Sequence, residues 1–205
     1  MHQAAGHNNV AELRRLVAKG ANVDQRDADG RTALHWAANK GQVEAIKALV
    51  VQLGANKEAK GAKGATALHL AAERGHAEAI KALVQLGANK DVKCNEGATL
   101  LHWASGNTSA DNGDHVEAIK VLVKLGVNKE VKSPSGQTAL HWAVHRGHTE
   151  AIKVLVQLGA NLEANDGRND EKGTPLHAAA VEGHVEVIKL LVQLGANLEG
   201  KSAED

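Results

Sequence analysis

Histidine is the first side chain to test for chemistry, because twelve are present in 205 residues and each is a possible metal ligand or proton carrier. His141, His145 and His148 stand in H-x-x-x-H-x-x-H order, with the first two on one helical face. A zinc site needs three or four converging ligands. Yet His35, His69, His102, His141 and His177 recur in one register, and His76, His115, His148 and His184 in a second. A catalytic group is needed once, so repetition speaks for a scaffold role; His145 and His148 then read as exposed side chains. Gly195 to Ser202 fits the phosphate-loop pattern G-x-x-x-x-G-K-S. That motif works when a strand delivers the loop and a helix follows it. Here a helical pattern precedes Gly195 and only Ala203, Glu204 and Asp205 follow, so nucleotide binding is not expected. There is no H-E-x-x-H and no G-x-S-x-G, and Cys94 has no non-repeating His partner. Cys94 reads as an ordinary, solvent-accessible thiol. No enzyme, cofactor or metal is expected.

Charge narrows the partners. Lys+Arg and Asp+Glu are both 24, which removes the global basic field that nucleic acid or an anionic membrane would require. No apolar run approaches a membrane span, and the first thirty residues lack a signal-peptide core. With a single Cys, a reducing, cytoplasmic or nuclear location is expected. Three Trp but no Phe or Tyr leave a core of Ala, Leu, Val and Ile, which suits stacked helices.

The elements that hold these residues follow from an internal repeat. Thr-x-Leu-His begins at Thr32, Thr66, Thr99, Thr138 and Thr174, and a second row, Gly-Ala/Val-Asn, begins at Gly20, Gly54, Gly87, Gly126, Gly159 and Gly195. Around Thr138 the chemistry is legible. The Thr hydroxyl caps a short helix running to about His145, His141 lies where it meets that hydroxyl, and Gly147 ends the helix. A second helix, roughly Thr149 to Leu158, places Ile152, Leu155 and Val156 on one face and Glu150 with Lys153 on the other, before Gly159 closes it. Ser133-Pro134-Ser135-Gly136 supplies a type I turn.

Two phased motifs at a period near 33 closely resemble the ankyrin repeat family. The resemblance implies an all-α solenoid of stacked antiparallel helix pairs joined by β-turns or short β-hairpins. One domain over 1–205 is expected, with a partial, more polar N-terminal repeat at 1–27 and repeats at 28–61, 62–94, 95–133, 134–169 and 170–205. Last-helix residues Val187, Leu190, Leu191 and Leu194 are expected to be partly uncovered. Departures from the period fall near 50–51, where an extra Val predicts a bulge in a helix, and at 105–114 and 165–172, which read as inserted loops.

The resemblance further implies that a monomer recognises a protein partner through turn tips and a concave groove. The tips include Asp29, Lys63, Glu96 and Ser135. Positions late in the first helices that vary while the scaffold does not are Asn39, Lys40, Glu73, Arg74, His145, Arg146, Val181 and Glu182. The slot after the motif His holds Trp36, Leu70, Trp103 and Trp142, which read either as packing fillers or as partner anchors. The reading is a protein–protein interaction module. The alternatives are a targeting or substrate-recruitment domain of a larger enzyme or signalling protein, or an engineered array.

Overall fold

Every Thr-x-Leu-His opens a helix in the computed structural model, which describes residues 1–106, 113–167 and 173–198. The inner helices are α1 (His2–Gly6), α3 (Ala33–Asn39), α5 (Ala67–Glu73), α7 (Leu100–Gly106), α9 (Ala139–His145) and α11 (Pro175–Glu182). Each is followed by an outer, antiparallel helix: α2 (Val10–Ala18), α4 (Val43–Lys47), α6 (Ala77–Gln85), α8 (Gly113–Lys124), α10 (Thr149–Gln157) and α12 (Val185–Gln193). Inner helices pack serially on inner helices, and α4 through α12 do the same on the outside, so each pair touches only its neighbours. The described residues form helices, turns, bends and irregular connections, with no strand. Adjacent turns are instead joined by single backbone bonds, Ala62 N–H to the Asp29 carbonyl (3.1 Å) and Asn95 N–H to that of Lys63 (2.8 Å).

The core is built from the expected small set. Leu34, Leu68, Leu101 and Leu140 sit at 0–1% exposure, with Ile46, Ile80, Ile119 and Ile152 opposite them at 0%. Ala37, Ala71, Ala104, Ala143 and Ala179, all 0% exposed, let successive inner helices approach closely without an aromatic ring between them. The extra residue near 50–51 becomes a π-turn at Ala48–Gln52 that follows α4 directly. The inserted residue is accommodated by widening one turn, and Val51 is left 67% exposed.

The N-terminal unit carries both helices, lacking only the turn and its capping Thr. At the other end the expectation is corrected in part. Val187 and Leu191 are buried at 2% and 0%, because α10 and α11 cover them. The apolar side chains left open are Val181, Val185, Val192 and Leu198. Most of the inserted loops at 105–114 and 165–172, and residues 199–202 of the phosphate-loop match, lie outside the described residues.

Candidate functional site

Histidines stitch the units together in two directions. In the first row the ring Nδ1 faces its own capping Thr, at 2.9 Å for Thr32 Oγ1–His35 and 2.8 Å for Thr99 Oγ1–His102. The Thr backbone N–H also points at Nδ1 (3.1 Å in Thr32–His35), so that nitrogen is bare and the proton resides on Nε2. Nε2–H then donates forward to the next unit's backbone: His35 to Ala65 (3.1 Å), His102 to Gln137 (2.9 Å) and His141 to Gly173 (2.8 Å). His69 is the exception, directed at the Ala98 carbonyl in a geometry short of a full hydrogen bond.

The second row donates backward. His76, His115, His148 and His184 reach the carbonyls of Asn39 (3.2 Å), Glu73 (2.9 Å), Ser105 (2.9 Å) and His145 (3.2 Å) in the preceding unit. His148, expected to be exposed, is therefore only 6% exposed, since its imidazole is a mortise between two helix ends. Burial holds His35, His76 and His102 below the ordinary imidazole value and takes His69 to about 4, against the opposing pull of the carbonyls they face.

A third stitch was invisible in the sequence. The carboxylates of Asp24, Glu58, Glu130 and Glu163 accept the backbone N–H of the next unit's Asn56, Asn89, Asn161 and Asn197 at 2.8–3.1 Å. Cys94, expected at the surface, is buried at 6% exposure because it opens a turn closed by Gly97.

In the Trp slot the indoles pack and stay part-exposed. Trp103 stands edge-on to His69 of the preceding unit (ring centroids 5.4 Å apart) and Trp142 edge-on to His102 (5.2 Å), so each indole packs the stack while staying half-exposed. Trp36 instead leans toward His2 and donates through Nε1 to Asp27 Oδ2 (2.7 Å). Burial disfavours the Asp27 charge, yet this N–H and the amides of Arg31 and Asp29 hold the carboxyl below its ordinary value. Leu70, counted among the partner-facing candidates, is corrected: at 4% exposure it is a packing residue, the shorter side chain sinking where an indole protrudes.

Two adjoining clefts lie beside these indoles. One, of about 420 Å³, is lined by Gln137, Trp142, His145, Arg146 and Glu182. The other, of about 340 Å³, is lined by Lys63, Glu73, Glu96, Trp103, Gly106, Trp142 and Arg146. Trp142 and Arg146 belong to both. Gly106 makes the junction possible, since a Cβ there would lie 2.6 Å from Trp142 Cε3. His145, expected to be exposed, is half-buried. Its Nε2 accepts from Gln137 Nε2 (2.6 Å) and its Nδ1 donates to Glu182 Oε1 (2.9 Å). The Trp142 Nε1 is shut off from water and makes no hydrogen bond, a deficit of about 1–3 kcal/mol.

The remaining candidates lie outside the clefts. Trp36 and Asn39 sit at the N-terminal end of the groove, where Asn39 Oδ1 accepts from Arg74 Nε (3.0 Å). Lys40, Asp29 and Ser135 are exposed, and Val181 projects from α11 at 85% exposure. Gln137 was not among the expected residues. Its signal was variation at the position before the capping Thr, which is Arg31, Ala65, Ala98 and Gly173 elsewhere. No group of three or more His, Cys, Asp or Glu fit to hold a metal occurs among the described residues, and none of their helices is long and apolar enough to cross a membrane.

Comparison with known proteins gives the same architecture. Models described as ankyrin repeats match residues 1–50, 53–112 and 107–202. The human ASB11 ankyrin repeat domain superposes with a TM-score of 0.77 at 32% identity, covering 98% of this chain and 88% of that one. The ankyrin repeat domain of Bcl-3, a member of the IkappaB family, gives 0.77 at 26% identity with the same coverage. One from Acinetobacter baumannii AYE gives 0.72 at 27%, covering 96% and 97%. Curated relatives match over shorter stretches. The Medicago truncatula protein VAPYRIN-LIKE is 40% identical over 45 residues, 22% of this chain and 10% of that protein. The mouse mitochondrial liver-isoform glutaminase is 43% identical over 47 residues, 23% of this chain and 8% of that protein. The chain thus spans only a small part of the curated relatives it matches.

Proposed function

The chain belongs to the ankyrin repeat family, a fold that generally serves protein–protein interaction without catalysis, and from that membership we propose that it binds one protein partner along the groove beside Trp103, Trp142 and Arg146. The observation that carries this reading is the junction of the two clefts: both are lined by Trp142 and Arg146, residue types that anchor interfaces. Apart from Trp103 and Gly106, the remaining cleft walls are polar and mixed in charge, as an interface rim is. In this reading the protein works as a monomer in a reducing compartment and is not an enzyme; seven of its nine repeated histidines, all but His69 and His177, are engaged in inter-unit hydrogen bonds.

The test is a pull-down with the intact chain as bait beside the double variant Trp142→Leu with Arg146→Gln. Partners retained by the parent and lost by the variant support the groove. Equal capture, with loss instead on changing the outer Glu150 and Lys153, would move the binding surface to the convex face. A second reading, that these units recruit a partner to a longer protein, is favoured by the small share of the curated relatives that they match.

A further inference from the structure

Three units place an indole in the same slot, and the turn beside it treats Trp36 and Trp142 differently. In one unit the turn opens with Asp27, is closed by Gly30 N–H to the Asp27 carbonyl (3.0 Å), and lends its carboxylate to the Trp36 N–H (2.7 Å). The unit of Trp142 has the same turn, closed by Gly136 N–H to the Ser133 carbonyl (2.8 Å), but Ser133 stands where Asp27 stands. The Ser133 hydroxyl is engaged with that of Ser135 (2.8 Å), and the Trp142 N–H is left without an acceptor.

The neighbouring cleft of about 420 Å³ lacks the same thing. Its lining carboxylate, Glu182, is already bonded to His145. Arg146 is exposed and has no ion-pair partner among the described residues. An indole N–H and a guanidinium donate and cannot accept; the one carboxylate of this cleft is engaged with His145, Glu73 and Glu96 line only the adjoining cleft, and none of the three bonds the Trp142 N–H. The chemistry that answers both is a carboxylate, which pairs with Arg in a two-oxygen fork and, in the Trp36–Asp27 pair, already satisfies an indole of this molecule.

We propose that the cleft at Trp142 and Arg146 is an acidic-residue pocket, taking an Asp or Glu side chain of the bound protein partner into the place that Asp27 fills from within beside Trp36. The proposal rests on the reading of the groove as the partner-binding surface and gives that partner its chemistry. The Trp142 N–H lies below the water-accessible surface, so the entering oxygen displaces a lining side chain. Gln137, whose side chain is held by Ser135 and His145, is placed to yield.

The test is a selection on the intact chain with a phage-displayed random peptide library, followed by titration of the recovered peptides in synthetic, C-terminally amidated form. Recovered peptides are expected to share an Asp or Glu, and changing it to Asn or Gln is expected to weaken binding about tenfold or more. Arg146→Gln should weaken them comparably. Ser133→Asp, which supplies the missing carboxylate internally, should block them while the melting temperature holds or rises. In ¹H–¹⁵N spectra the Trp142 indole signal should move on peptide binding and, in the same sense, in Ser133→Asp. Peptides without an acidic requirement, or indifferent to Ser133→Asp, would overturn the acidic pocket while leaving the groove intact. Peptides indifferent to Trp103→Leu, Trp142→Leu and Arg146→Gln together would overturn the groove reading itself. Should the library yield no binder, N-acetylglutamate amide is the probe. A saturable shift of the Trp142 signal that is absent in Ser133→Asp supports the pocket, and an unmoved signal overturns it.

Discussion

The Trp142 indole stands edge-on to the His102 ring of the preceding unit, with ring centroids 5.2 Å apart and planes at 76°. One residue thus packs the stack with one edge and faces the groove with the other. Trp142→Ala removes both and should cost about 2 kcal/mol, less than the ~3–5 typical of a fully buried Trp. Trp142→Leu should cost under about 1.5 kcal/mol, since Leu70 already serves that slot at 4% exposure. Urea denaturation of both variants separates the roles; an equal loss in the two would show that the indole edge itself holds the units together.

His102 carries a larger share of the stack than its size suggests. Its ring joins the Thr99 cap (2.8 Å) to the Gln137 carbonyl of the next unit (2.9 Å). His102→Ala should therefore leave the buried Thr99 N–H without its acceptor (3.2 Å to Nδ1) as well as a cavity, a loss of about 2–4 kcal/mol. Lys153→Ala, which removes one exposed ion pair with Glu150 (2.7 Å), should change stability by less than about 1 kcal/mol. Chemical denaturation of the two side by side checks the contrast.

Acid should loosen the array. His35, His69, His76 and His102 all bind their proton less readily folded than unfolded, where the ordinary value is 6.5. Between that value and the depressed folded ones the unfolded chain holds more protons, so stability is full above pH 7 and falls as pH drops through 6.5. His69, taken to about 4, alone should remove about 3 kcal/mol by pH 4. Urea midpoints measured from pH 7.5 down to pH 4 should decline, less steeply in His69→Gln. A flat profile to pH 4.5 would contradict the neutral-imidazole stitches.

Deleting Val51 should return Ala48–Gln52 to ordinary helical spacing. Because Val51 is 67% exposed, little apolar contact is lost, and stability should change by less than about 1 kcal/mol in either direction. The deletion re-registers the Arg14–Gln52 bonds across units (2.8 and 3.0 Å) and the turn-closing bonds of Leu53 N–H to Ala48 (3.1 Å) and Ala55 N–H to Leu49 (2.8 Å). A loss well above this range in thermal melts would give the π-turn a structural role of its own.

Much of the scaffold was legible because its determinants are local. Thr138 and His141 lie three positions apart, and a helix start brings such residues together wherever the unit sits. The extra Val produced its π-turn for the same reason: one residue too many must be absorbed within a turn or two. The candidate site was legible only as a set of varying positions, and there the placement separated them. Lys63, Glu73, Glu96, Trp103, Trp142, His145, Arg146 and Glu182 line the two clefts, while Leu70 is buried and Val181 stands apart on the last inner helix.

By itself, the sequence determined the repeat, the caps, the helix faces and the absence of catalytic motifs, since each is written within about 33 consecutive residues. Tertiary structure alone decided what the second histidine row does, which acids accept from the next unit, and which indole lacks an acceptor. Those facts depend on residues such as His148 and Ser105, forty-three positions apart, and spacing along the chain does not encode the rotation and rise that stack one helix pair on another. A His that reads as exposed within its own unit becomes buried once the preceding unit's helix end is laid against it. Ser133 and Trp142 differ from Asp27 and Trp36 by one side chain, and only the folded turn shows that this change leaves an indole N–H facing no acceptor.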